Sequence, residues 1–169
     1  MYGYKVVEKA LGQLHAIDEP SLGAFRGRIK HFQRIGLVTS SPGKGRRIEY
    51  SFSDAALWAF GLEMEEFGID PIVVKTIVDR CWKDVLPAIE SYGVKNDQFF
   101  VTNPSMVSSR SWLNAFIGRV ITGDNFSPKL EGVKRVLIVN LTQIGRDLSQ
   151  ALDRCSAPDE ILIPAPIPG

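Results

Sequence analysis

The sequence contains few of the residues from which metal centres and nucleophilic active sites are built. It has two cysteines and two histidines among 169 residues, and they form no ligand-spaced Cys/His cluster. The HExxH and GxSxG patterns are absent. The segment SPGKGR at 41–46 lacks the earlier glycine and the following Ser or Thr of a nucleotide-binding loop. We therefore expect no catalysis, so the protein is not predicted to be an enzyme, and we expect no cofactor or metal.

Long apolar runs are also missing. No stretch of about 18 apolar residues occurs, so we expect no membrane-spanning helix and no membrane partner. The first fifteen residues carry charges where a signal peptide would have its apolar core. The two cysteines lie 74 residues apart and are expected to be reduced thiols. These observations predict a cytoplasmic globular protein.

Acidic residues are absent from one segment of the chain. Between Leu22 and Ile48 there is no Asp or Glu, yet there are seven Lys and Arg residues. Residues 51–90 reverse this balance, with three basic against eight acidic side chains. Among the acidic ones, Glu63, Glu65, Glu66 and Asp70 are expected to form a solvated face of a helix without a basic or metal partner. A compact positive segment in a chain of net charge +1 is typical of a surface that binds a polyanion.

The basic segment has an ordered pattern of its own. After a first short helix between about Val6 and Leu14, the residues Asp18-Glu19-Pro20 open a second helix. Its apolar residues recur every three or four positions and predict one buried stripe, which consists of Leu22, Phe25, Ile29, Phe32 and Ile35. Gly36 is expected to end the helix. Two short strands, 38–40 and 46–52, are predicted to form a basic hairpin, and Ser53-Asp54 to cap a third helix.

The residues RIKHFQRIGL at 28–37, followed by GRRIEYSFSDAALW at 45–58, resemble the MerR family of winged-helix regulators. In that family a recognition helix ends in an aromatic-x-Arg-Ile-Gly-Leu phrase, a basic wing follows, and an acidic cap opens the third helix. The resemblance covers about residues 3–70 and implies a winged helix-turn-helix that binds double-stranded DNA. The candidate DNA-binding residues are Arg26, Arg28, Lys30, His31, Arg34, Lys44, Arg46 and Arg47. For His31, a half-buried structural position is an equal alternative.

Residues 71–92 are predicted to form a longer helix with a heptad pattern of apolar residues. The resemblance implies that such a helix mediates dimerisation, through Val74, Val78, Cys81 and Val85. Because the helix is short and contains Pro87, packing of the same residues against the C-terminal region is an open alternative.

The second half of the chain changes character. Gln98–Thr102, Val120-Ile121 and 133–141 are strand-like, and Leu141 to Arg154 is an amphipathic helix pattern. We interpret residues 93–157 as a small α/β module, which serves dimerisation or senses a protein or small-molecule effector. Residues 158–169 are rich in proline and predict an extended tail.

The fold prediction is therefore an α+β protein with four parts. These are a winged helix at 1–70, a connecting or dimerisation helix at 71–92, the α/β module at 93–157 and the tail at 158–169. The predicted function is that of a dimeric, sequence-specific transcription regulator. Two alternatives stay open, namely an excisionase-type architectural protein for recombination and a protein-interaction module whose basic face meets an acidic partner.

Overall fold

A computed structural model describes residues 1–38, 48–102, 118–125 and 136–157. The chain is a mixture of helices and two small antiparallel sheets, which confirms the predicted α+β class. In chain order the elements are β1 (Tyr2–Gly3), α1 (Tyr4–Leu14), α2 (Leu22–Arg34), β2 (Glu49–Tyr50), α3 (Phe52–Glu66), α4 (Pro71–Glu90), β3 (Gln98–Thr102), β4 (Arg119–Thr122), a 3-10 turn (Gly123–Asn125), β5 (Leu137–Asn140) and α5 (Leu141–Ser156). Within these described ranges, no helix is long and apolar enough to cross a membrane.

Helix α2 forms as its apolar spacing predicts. Phe25, Ile29 and Phe32 are buried on one side, because side chains three and four positions apart share a helix face. The helix is followed by Gly36, whose φ of +75° favours glycine. The amide of Leu37 then donates to the carbonyl of Phe32 at 2.9 Å, which satisfies a carbonyl at the helix end.

Helix α3 begins two residues earlier than predicted. Its N-cap is Ser51, so the prediction of a cap at Ser53-Asp54 is wrong. The amide of Asp54 donates to the Ser51 hydroxyl at 3.1 Å, and the amide of Ser51 donates to the Asp54 carboxylate at 2.8 Å. This reciprocal arrangement satisfies two amides at once. Ser53 cannot make it because Asp54 must stand three residues after the cap.

The basic hairpin lies largely outside the described residues. Residues 39–47 fall there, and with them Lys44, Arg46 and Arg47. Of the predicted strand 46–52, Glu49–Tyr50 forms β2, and its described partner is β1, antiparallel, with Tyr2 opposite Tyr50. Strand β1 was not predicted, since two residues are too few for an alternation pattern.

The second sheet has the strand order β4-β3-β5, with both pairs antiparallel. The central strand β3 has the predicted bounds, and β5 lies within the predicted segment 133–141. Helix α5 follows β5 directly, and the side chain of its N-cap Asn140 accepts from the amide of Gln143 at 2.9 Å.

One hydrophobic core runs from Val7 in α1 to Leu152 in α5. Helix α5 packs against α1, α3 and α4. At Gly145 a Cβ atom would overlap the carbonyl of Ile89, so the α4 and α5 backbones approach closely. The core therefore crosses the predicted boundaries at residues 70 and 92, because α5, from the predicted α/β module, completes the packing of the N-terminal helices.

The predicted dimerisation residues lie within this same core. Their exposed fractions are 0% for Val74, 6% for Val78, 7% for Cys81 and 1% for Val85. Of the two readings of the heptad pattern, packing within the chain accounts for these side chains. A homodimer stays a prediction, and in this arrangement it would need another surface.

Candidate nucleic-acid interface

The outer face of α2 carries a row of basic side chains. Arg26, Lys30 and Arg34 are each four positions apart and exposed. Side chains at this spacing follow one another along a single helix face. Phe25 and Ile29, on the inner side, hold the helix against the core, so the row stands on a firmly anchored element.

Arg26 and Arg28 belong to different surroundings although they are two positions apart. Arg26 has a side chain 52% exposed, and its Nε donates to Glu8 of α1 at 2.7 Å. Arg28 turns toward α3, where its Nε donates to Glu65 at 2.8 Å and its Nη2 lies 3.9 Å from Glu66. Arg28 therefore connects α2 to α3, and its charge is compensated within the chain.

Lys30 and Arg34 are not engaged by any carboxylate of the described residues. The Nη2 of Arg34 donates to Nδ1 of the half-buried His31 at 3.0 Å, and this contact fixes both side chains at the end of α2 without neutralising the guanidinium. Of the candidates on α2, Lys30 and Arg34 thus offer the least compensated positive charge.

Described residues flank the basic segment 39–47 on both sides. Val38, which precedes the segment, is buried four residues after the end of α2. Strand β2 follows the segment. The side chain of Gln33 donates to the hydroxyl of Tyr50 at 3.1 Å. Tyr50 is itself buried against Trp58, with ring centroids 5.0 Å apart. The described residues on both sides of segment 39–47 therefore contact the C-terminal part of α2.

The expectation of a solvated acidic face on α3 is wrong. Glu65 and Glu66 pair with Arg28, and Glu66 accepts a hydrogen bond from the imidazole of His15 at 2.9 Å. Because His15 and Glu66 are 51 positions apart in sequence, only the fold brings these side chains together. No spacing rule could have found this cluster.

Comparison with models of known protein families finds no match, and comparison with curated proteins finds no similar sequence.

Proposed function

We propose that the protein binds double-stranded DNA through the outer face of α2, as a sequence-specific regulator of the MerR-like type. The observation that carries the proposal is the exposed row of Arg26, Lys30 and Arg34 on a helix anchored from behind. The major groove admits an α-helix, and phosphates line both of its edges. An anchored helix with cations along its free face suits that groove in shape and charge.

The contacts within the chain suggest different roles for the basic residues. Lys30 and Arg34, which no described carboxylate neutralises, suit phosphates or base edges. Arg26 is oriented by Glu8, so we assign it a more fixed position at the groove. Arg28 is removed from the DNA-contacting set because α3 engages its guanidinium. Lys44, Arg46 and Arg47 remain proposed phosphate contacts, since the described residues on both sides of their segment contact α2.

The test is the salt dependence of binding to a mixed-sequence duplex, measured by fluorescence anisotropy. Replacing Lys30 and Arg34 together with Ala should weaken binding and lower the slope of log affinity against log salt by about two, roughly one for each lost phosphate contact. The matched control is the double change of Lys83 and Lys95 to Ala, which removes the same charge from exposed positions elsewhere. Equal slopes for both double variants would show that α2 is not the binding face.

A further inference from the structure

His15 is buried beneath two carboxylates of α3. It directly follows α1, and its side chain is only 1% exposed. Glu63 and Glu66 are three positions apart and share a helix face. The Nδ1 atom of His15 lies 2.9 Å from Oε1 of Glu66 and 3.9 Å from Oε1 of Glu63. One imidazole nitrogen and two carboxylate oxygens are thus gathered within 4.8 Å of one another.

The charges around this cluster do not balance. Glu63 makes no hydrogen bond to any residue of the described ranges, and its side chain is 29% exposed. The carboxylates of Glu66 and Asp147 add negative charge near that of Glu63. The guanidinium of Arg28 is directed mainly at Glu65, at 2.8 Å, and lies 3.9 Å from Glu66. Negative charge is therefore in excess at Glu63, where a partly desolvated cation would be stabilised.

The imidazole of His15 is buried and directed at the two carboxylates. Nδ1 faces the carboxylates, while Nε2 is buried without a hydrogen-bond partner in the described structure. Glu63 also lines a surface groove together with Asn140, Gln143 and Asp147. The groove gives water, and hence additional ligands, access to the cluster from outside.

We propose that His15, Glu63 and Glu66 form a binding site for a divalent first-row transition-metal cation. Imidazole nitrogen with carboxylate oxygen suits Zn²⁺ and its neighbours, whereas Ca²⁺ and Mg²⁺ prefer oxygen ligands alone. Donor atoms at about 2.0–2.2 Å from Zn²⁺ are about 3–4 Å apart. The separations of Nδ1 from the two glutamates are close to this, so small side-chain movements would complete three protein ligands. Zn²⁺ would link the end of α1 to α3 through the lone pair of Nδ1, with the imidazole proton on Nε2.

The test is Zn²⁺ binding to the full, tag-free chain after treatment with a chelator. We expect one saturable equivalent by isothermal titration calorimetry and a rise in the melting temperature. Glu63→Gln preserves the volume of a partly exposed side chain, and it should weaken binding about tenfold or more; His15→Gln should do the same. The matched controls, His31→Gln and Glu90→Gln, remove an imidazole and a carboxylate from other places and should bind as the wild type does.

Substitution by Co²⁺ reports which atoms bind the metal. A spectrum without a thiolate charge-transfer band is expected, because Cys81 and Cys155 lie outside the cluster. A wild type that shows no saturable Zn²⁺ binding overturns the proposal. So does a folded Glu63→Gln variant with wild-type affinity, or a thiolate band in the Co²⁺ spectrum.

Discussion

Arg28 and Lys30 show how two neighbouring basic residues acquire different roles from their position on a helix. The side chain of Arg28 is 29% exposed and pairs with Glu65, while Lys30 is exposed to solvent. We predict that Arg28→Ala lowers the free energy of unfolding by up to about 1 kcal/mol and leaves the salt dependence of DNA binding unchanged. Lys30→Ala should leave the free energy of unfolding unchanged and lower the slope of log affinity against log salt. Urea denaturation and salt titration of both variants check this, and a lower salt slope in Arg28→Ala would contradict it.

Tyr4 gives stability a dependence on alkaline pH. Burial, followed by the charge of Glu8, raises the pKa of its phenol from 10.0 to about 12. The native state therefore holds this proton more tightly than the unfolded chain. The resulting stabilisation is complete below the unfolded pKa of 10.0 and is lost as the pH rises from there toward about 12.

We predict that Tyr4→Phe makes the alkaline loss of stability shallower, because phenylalanine has no proton to lose. Urea denaturation across this pH range measures the effect, and tyrosinate absorbance follows the titration directly. A part of the decline should persist in the variant, since burial also raises the pKa of Tyr50. A pH profile identical to that of the wild type would refute the role of Tyr4.

The N-cap of α3 offers a direct test of the structure. Ser51→Ala removes the hydroxyl that accepts from the amide of Asp54, and we predict a loss of about 1 kcal/mol in the free energy of unfolding. Ser53→Ala is the matched control, because Ser53 lies in the first turn after the cap. Urea denaturation should rank the wild type and Ser53→Ala together, above Ser51→Ala. The opposite order would restore the cap first predicted from the sequence.

Helices and strands were predictable where the residues that determine them lie within a few positions of one another. The apolar stripe of α2, the stop at Gly36 and the bounds of β3 follow from spacing within a few residues. The pairing of β1 with β2 does not, because Tyr2 and Tyr50 are far apart in the sequence. The candidate site divides in the same way. Its basic row could be found from the sequence, but the partner of Arg28 lies 37 positions away, and no local pattern encodes that contact.

The continuous hydrophobic core predicts that the fold of the N-terminal part depends on α5. We expect a chain ending at Tyr92 to lack a cooperative unfolding transition, because Leu141, Leu148 and Leu152 would no longer cover α1, α3 and α4. Circular dichroism during urea denaturation and the dispersion of amide proton signals measure this. A cooperative transition in the shortened chain would instead support the independent winged helix that the sequence suggests.

The packing of α1 against α5 also has a consequence for synthesis. About 130 residues separate the end of α1 from the start of α5, and ribosomes add about 5–20 residues per second. The synthesis of α1 therefore precedes that of α5 by roughly 6–25 seconds. During that interval the part of α1 that α5 covers in the native fold stays exposed on the nascent chain.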